Sequence, residues 1–184
     1  MIIGITGTNG SGKGTVVDYL KAKGFTHYSA RAFITAEIER RGLPVNRDNT
    51  RLVANDLRKI HEPTHIIRSL LKEALAEGKD AVIESVRVVA EAELLKGQGA
   101  IILATDADRK LRYERIVARQ SELDKISFET FCEQEEREMN ALDAWDMSVA
   151  GVMAMADYTI QNNGSLEELH AKVDEILGAI HKSA

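Results

Sequence analysis

The chain contains little cysteine, proline or aromatic residue. Cys132 is the single cysteine among 184 residues, so no disulfide can form within the chain, and a reducing compartment such as the cytoplasm is expected. With two prolines and no Pro-rich or Ser-rich linker, the sequence favours one domain. No apolar run approaches the roughly 20 residues of a membrane helix, and the apolar N-terminal stretch is too short for a signal peptide. We therefore expect a cytoplasmic protein that does not bind membranes.

The chain also lacks an excess of positive charge. Its formal net charge of −5 argues against general binding to nucleic acid or to an anionic membrane. A local basic pocket remains compatible with this charge, so small anionic substrates are not excluded. We expect small-molecule nucleotide substrates as partners, and either a monomer or a homodimer.

Five short apolar segments alternate with stretches of helical spacing. They lie at 1–6, 25–29, 80–85, 100–106 and 156–161. Apolar strands joined by helices are typical of a parallel sheet that is covered on both faces. The sequence therefore predicts an α/β fold with a doubly wound, five-stranded parallel sheet in a single domain.

The first strand leads directly into the glycine-rich stretch GTNGSGKGT. The spacing from Gly7 to Gly12 predicts a loop whose backbone N–H groups surround a phosphate at the start of a helix. Lys13 adds a mobile positive charge for the terminal phosphates. Most such loops place a serine or threonine directly after the lysine to hold magnesium, but here Gly14 stands there and Thr15 follows. The loop residues predicted to bind the nucleotide are Gly7, Asn9, Gly10, Ser11, Gly12, Lys13, Gly14 and Thr15.

This loop, with glycine after the lysine, resembles that of adenylate kinases and related nucleoside monophosphate kinases. The resemblance continues at VIESVR, residues 82–87, which is similar to the strand followed by Asp-Gly-Phe-Pro-Arg, or by Asp-Gly-Ile-Arg in the archaeal adenylate-kinase-related group. It implies that Glu84, together with Thr15, organises Mg²⁺ and its waters, and that Arg87 binds the acceptor's phosphate. Glutamate replaces the family's aspartate at this position. Glu84 is either a metal organiser or, if the acceptor is a hydroxyl, a general base.

Further segments extend the resemblance. YERIVARQ, residues 113–120, is similar to the helix that enters the lid of these kinases, which implies that Arg115 and Arg119 face the triphosphate and the base. Residues 120–138 resemble the short helical lid of dephospho-coenzyme A kinases. The polar loop after the last strand is near the adenine in that family, which makes Asn162 a candidate base contact. The core is thus predicted at 1–29 and 80–184, with a helical acceptor-binding insert at about 30–79.

The residues after the second strand bear on the acceptor. Dephospho-coenzyme A kinases carry an Asp-x-Asp pair there, whose second aspartate is taken as the base, whereas this chain has Ser29 and Arg31. An arginine cannot accept a proton but can bind a phosphate, and transfer to a phosphate needs no strong base. The sequence therefore predicts a kinase that uses ATP and Mg²⁺ to phosphorylate a nucleoside or deoxynucleoside monophosphate. The predicted catalytic residues are Lys13, Glu84, Arg87, Arg115 and Arg119, and Arg31 and Arg87 are predicted to bind the acceptor.

Two alternatives remain open at this point. The acceptor could be a hydroxyl, as in dephospho-coenzyme A kinases, with Glu84 as the base. The chain could also be a regulatory module that binds a nucleotide without transferring its phosphate.

Overall fold

A computed structural model describes residues 1–119, 126–140, 143 and 145–183 of the chain. Five strands form one sheet, with the order β2-β3-β1-β4-β5, and every neighbouring pair is parallel. The strands are β1 Ile2–Gly7, β2 Thr26–Ser29, β3 Ala81–Glu84, β4 Ile101–Asp106 and β5 Tyr158–Gln161. The predicted doubly wound parallel sheet is confirmed, and each strand begins and ends within about two residues of its predicted position.

Helices connect the strands and cover both faces of the sheet. Those in the described residues are α1 Lys13–Ala22, α2 Ala30–Arg40, α3 Arg47–Ile60, α4 His65–Glu77, α5 Val89–Gly97, α6 Arg109–Ala118, α7 Phe128–Met139, α8 Val149–Ala154 and α9 Leu166–Ser183. Helices α2 to α4 fill the range predicted as a helical insert. Helix α7 lies in the range predicted as a lid, and residues 120–125 of that range lie outside the described residues. None of the described helices has the length and apolar content needed to cross a membrane.

The core has two halves, one on each face of the sheet. Alternation along β3 shows how the sequence divides them: Ala81 and Ile83 pack with α2 to α5 and α8, whereas Val82 packs with α1 and α9. Side chains such as Ile66 and Ile102 on one face, and Ile5 and Leu20 on the other, are fully buried. The sheet is therefore packed between two apolar layers, which fix the positions of the loops at its edge.

The order of the strands places the candidate site. The connection that follows β1 runs to β2 on one side of it, whereas the connection that follows β3 runs to β4 on the other side. Such a switch point leaves a crevice beyond the carboxyl ends of the strands. The glycine-rich loop follows β1, and Glu84 ends the adjacent β3. The backbone N–H groups of Ser85 and Val86 both donate to the carbonyl of Ile5, at 3.0 Å. This contact fixes the end of β3 against the start of the loop.

Candidate active site

The glycine-rich loop adopts a conformation that most side chains would prevent. Gly12 has φ of 99°, and a Cβ there would lie 2.3 Å from Nδ2 of Asn162. Gly10 has φ of 79°, and a Cβ there would lie 2.5 Å from the carbonyl oxygen of Arg112. Neighbouring segments therefore press against the outside of the loop. Glycine is required at both positions by the backbone angle and by the packing.

The loop opens α1 without capping it. Gly12 is the N-cap residue and provides no side-chain hydrogen bond to the helix. The first turn of an α-helix has N–H groups without intrahelical acceptors, and the helix dipole makes that end attractive to anions. Ser11 is turned away from the opening, because its hydroxyl contacts the carbonyl of Thr8 at 2.8 Å and the hydroxyl of Thr105 at 2.7 Å. The mouth of the loop therefore presents backbone N–H groups, which suit a phosphate.

Lys13 lies across this loop. Its Nζ donates to the carbonyls of Thr8 at 2.7 Å and Gly7 at 3.0 Å. Burial, and next the positive charge of Arg87, lower the pKa of Lys13 from 10.5 to about 7, although Glu84 and Glu138 act in the opposite direction. The nearby carboxylates therefore do not offset the cost of burying the positive charge of Lys13. A bound polyphosphate, with several negative charges, would offset it more fully.

Glu84 and Thr15 offer hard oxygen ligands at the same cavity. Both line it, and the Glu84 carboxylate lies 3.1 Å from Nε2 of His27 on the neighbouring strand β2. A Cβ at Gly14 would meet no described atom within 4 Å, so the position after the lysine is open. The described part of the chain has no cluster of three or more His, Cys, Asp or Glu side chains placed to hold a metal. The donors present fit Mg²⁺ that keeps several waters and phosphate oxygens, as this ion commonly does.

Two further predicted residues, Arg115 and Asn162, support the loop from behind. Asn162 is buried, and its side-chain amide donates to the carbonyl of Ser11 at 2.9 Å. Arg115 donates to the carbonyl of Asn162 at 2.9 Å. Neither side chain is among those that line the cavity, whereas Arg119, one turn after Arg115, is. The predicted arginine stripe is thus divided between the back of the loop and the cavity.

Arg112 explains why the stripe is divided. It is 4% exposed, and its guanidinium donates to the carbonyls of Ala107 at 2.8 Å and Asn9 at 3.2 Å. It also pairs with Glu135 of α7. The start of α6 is therefore packed directly onto the loop, and only the end of this helix, at Arg119, reaches the opening.

Arg87 is held by a carboxylate that the sequence did not single out. Glu138 of α7 accepts from Arg87 at 3.1 Å through one oxygen and from Arg47 of α3 at 2.9 Å through the other. Burial raises the pKa of Glu138, but the charges of Arg87 and Arg47 outweigh it and hold that pKa below its usual range. The lid helix, the insert and the end of β3 are thus joined at one carboxylate. Only correlated sequence changes between positions about 50 to 90 apart could have revealed the role of Glu138.

These groups surround one cavity of about 530 Å³, which extends from the loop to the insert. Arg31 and Arg87, the two residues predicted to bind the acceptor, both line it. Basic side chains outnumber acidic ones by eight to four around it, in contrast to the net charge of the chain. The basic residues are Lys13, Arg31, Arg47, Arg51, Arg58, Arg87, Arg119 and Arg137, and the acidic residues are Asp18, Asp48, Glu84 and Glu138.

Ser85 is a further cavity residue that the sequence did not single out. Its φ of 72° makes it the one non-glycine residue with a left-handed backbone in the described part of the chain. Such strain is found where a site demands a particular backbone direction. The sequence could have indicated this backbone conformation. Ser85 occupies the position at which adenylate kinases, in the motif that VIESVR resembles, have the glycine of Asp-Gly.

Comparison with known sequences agrees with this geometry. A family model described as "AAA domain" matches residues 3–143. A UPF0200 protein of Methanococcus vannielii is 32% identical over 183 residues, which cover 97% of this chain and 96% of that protein. The chain belongs to the UPF0200 family. Another member, from Thermococcus kodakarensis, is 31% identical over 187 residues and covers 98% of both chains.

Solved structures show that this UPF0200 chain has the fold of P-loop kinases. The protein TT1252 from Thermus thermophilus aligns with a TM-score of 0.66 and 23% identity over 97% of both chains. Shikimate kinase from Bacteroides thetaiotaomicron aligns with a TM-score of 0.60 and 15% identity, over 97% of this chain and 98% of that one. A gluconokinase from Sinorhizobium meliloti aligns with a TM-score of 0.55 and 13% identity, over 99% and 96%. The kinase-like fold that the resemblance implied is thereby confirmed.

Proposed function

We propose that this protein transfers the terminal phosphoryl group of ATP to the phosphate of a nucleoside or deoxynucleoside monophosphate. One observation carries the proposal: the phosphate-binding loop and a cluster of arginines from the insert and the lid line the same cavity. A donor alone needs the loop and its lysine. Arginines at the far side of the cavity are expected if a second anionic molecule binds there.

In this proposal the chain positions two phosphates and neutralises their charge. The loop N–H groups and Lys13 hold the terminal phosphates of ATP, while Arg119 approaches them from the end of α6. Thr15 and Glu84 would hold Mg²⁺, partly through waters, and the bound ion would neutralise phosphate charge. Arg87 and Arg31 bind the acceptor's phosphate, so that its oxygen faces the transferred group. Phosphoryl transfer depends mainly on such positioning and electrostatic stabilisation.

The residues after β2 favour a phosphate acceptor over a hydroxyl. A hydroxyl acceptor usually requires a carboxylate base within hydrogen-bond reach. The chain has Arg31 at that place, and it lines the cavity. Among the four acidic residues that line the cavity, Glu138 is engaged by two arginines, whereas Glu84 ends β3 beside the phosphate-binding loop and its carboxylate hydrogen-bonds only to the imidazole of His27 within the described residues. Glu84 is therefore the base to test in the alternative in which a hydroxyl is phosphorylated.

The test is a transfer assay with ATP, Mg²⁺ and separate acceptors. The acceptors are the ribose and deoxyribose monophosphates of each base, together with dephospho-coenzyme A, and the products are separated by chromatography. We expect one or more monophosphates to give diphosphates, and Lys13→Ala to abolish the reaction. Lys72→Ala, an exposed lysine of α4, is the matched control and should leave the reaction unchanged.

Each alternative gives a different result in this assay. Turnover of dephospho-coenzyme A without turnover of any monophosphate would contradict the proposal and favour hydroxyl transfer with Glu84 as base. Binding of ATP without transfer to any acceptor would favour the regulatory module. In that case Lys13→Ala would still weaken ATP binding.

A further inference from the structure

Arg58 forms a buried ion pair beside the cavity. It is 3% exposed, and its partner Glu91 is 0% exposed. Nε and Nη2 of Arg58 donate to the same carboxylate oxygen, at 3.0 and 2.8 Å. The other oxygen of Glu91 accepts from the backbone N–H groups of Arg87 at 3.0 Å and Val88 at 3.1 Å. The carboxylate is thus fully occupied, with the arginine on one side and the end of β3 on the other.

One nitrogen of this arginine has no partner. Nη1 is buried and makes no hydrogen bond to any atom of the described residues. A buried donor that stays unpaired costs about 1–3 kcal/mol, and such a group in a native structure needs an explanation. Arg58 is also among the residues that line the cavity. Nη1 itself has almost no exposed surface, so a ligand in the cavity would reach it after a small shift of the side chains that cover it. A ligand that offers an acceptor atom to Nη1 in this way would remove that cost.

The surroundings of Arg58 indicate which part of a ligand would reach it. Ala54 precedes it by one turn on α3, Ala30 and Ile34 of α2 also line the cavity, and all three are buried. Met147 adds another apolar side chain to the lining. Small and apolar walls accept a planar ring more readily than a phosphate. The charge of Arg58 is moreover already balanced by Glu91, which makes Nη1 a donor for a neutral acceptor atom rather than a free cation.

The position of Arg87, compared with that of Arg58, indicates how the acceptor is oriented in the cavity. Arg87 lines the same cavity as Lys13, and its positive charge contributes to the lowered pKa of that lysine. Phosphoryl transfer requires the acceptor's phosphate to be close to that lysine and to the terminal phosphate of ATP. The acceptor's phosphate is therefore expected at Arg87, which leaves the apolar region around Arg58 for the rest of the molecule.

We infer that Nη1 of Arg58 donates a hydrogen bond to a carbonyl oxygen or ring nitrogen on the base of the acceptor nucleotide. Arg58 is then a specificity residue, which recognises the base by a hydrogen bond to its edge and does not bind the phosphate. This inference rests on the proposed function, because it assumes that a nucleoside monophosphate occupies the cavity. Sites built around a buried hydrogen-bonding group reject ligands that leave the group unpaired, which gives strong selectivity.

The test compares a nucleotide with the same phosphate lacking a base. The variant is Arg58→Lys, which keeps a cation for Glu91 but removes the planar fork that carries Nη1. Dissociation constants are measured by calorimetry or NMR titration for the best-bound of AMP, CMP, GMP and UMP, and for ribose 5-phosphate. We expect binding of the nucleotide to weaken about tenfold, while binding of ribose 5-phosphate changes less than about twofold. Arg68→Lys, which alters an exposed arginine of α4, is the control and should change neither.

The other outcomes overturn the inference. An equal loss for both ligands would mean that Arg58 holds the phosphate, and no loss for either would mean that Nη1 does not contact the acceptor. If Arg58→Lys does not fold, Arg58→Met combined with Glu91→Gln removes both buried charges and keeps the acceptors for the backbone of Arg87 and Val88. If the wild-type protein binds ATP but none of these four nucleotides and none of the deoxynucleoside monophosphates, the proposed function fails together with this inference. If only the inference fails, the wild-type protein still binds a monophosphate.

Discussion

The stability difference between Lys13→Met and the wild-type protein should change with pH by about 2 kcal/mol between pH 7 and pH 9. Lys13 is held among the loop carbonyls, and burial together with Arg87 lowers its pKa from 10.5 to about 7. Each unit of difference between these two pKa values corresponds to about 1.4 kcal/mol. Keeping Lys13 protonated in the folded chain therefore costs on the order of 5 kcal/mol. Methionine retains much of the volume and removes the charge.

The sign of the effect follows from proton binding. The unfolded chain keeps Lys13 protonated up to a pKa near 10.5, whereas the folded chain releases the proton from about pH 7. Between these values the unfolded state binds more protons, so the free energy of unfolding of the wild-type protein rises with pH. The variant lacks this contribution. Its stability relative to the wild-type protein is therefore greatest near pH 7 and falls as the pH increases.

Urea unfolding of both proteins, without nucleotide, at several pH values from 7 to 9 provides the measurement. Lys13→Met also loses two hydrogen bonds to loop carbonyls, which shifts its stability by an amount that varies little with pH. The change of the difference with pH is therefore the decisive quantity. Lys72→Met controls for removing an exposed lysine and should show no such change. A constant difference between Lys13→Met and the wild-type protein across this range would refute the electrostatic argument.

Substitutions at three further positions test local features of the site. Gly14→Ala should raise the free energy of unfolding by about 0.5–1 kcal/mol, measured in urea, because its Cβ meets no described atom within 4 Å and alanine favours the helix. Ser85→Gly should be neutral or stabilising by up to about 1 kcal/mol, whereas Ser85→Val should destabilise by about 2 kcal/mol or more, since φ is 72° there; equal stabilities would contradict the strain. Glu138→Gln should lower the KM for the acceptor about threefold to tenfold, because its carboxylate competes with a phosphate for Arg87; an unchanged or higher KM would count against that competition.

The sequence was sufficient to predict the fold because the relevant signals are local. Strands such as IIGITG and AVIE are short, apolar and flanked by helical spacing, and their alternating side chains pack against different helices. The glycine-rich loop is also a local signal, since its spacing alone demands a left-handed backbone and a following helix. Parallel pairing of distant strands then follows from the helical connections between them.

The other side of the site depends on contacts that local spacing does not encode. Arg58 and Glu91 are 33 positions apart, and Arg47 and Glu138 are 91 apart, so their pairing follows from how α3 packs with α5 and α7. The position of Arg115 also could not be predicted from local spacing. Helical spacing placed it on the same side as Arg119, but spacing cannot show that this part of α6 contacts the back of the loop through Asn162.

The lowered pKa of Lys13, caused first by burial and next by Arg87, would make the binding of a triphosphate a proton-linked event. At pH 8, Lys13 with a pKa of about 7 is only about 10% protonated, and a triphosphate beside it would favour the charged form. Binding of a non-hydrolysable ATP analogue with Mg²⁺ should therefore take up close to one proton, about 0.9, per chain. Calorimetry in two buffers of different ionisation enthalpy measures this number, since the apparent binding enthalpy changes with the buffer in proportion to it. Lys13→Met should reduce the uptake to near zero, and equal uptake by both proteins would assign the proton to another group.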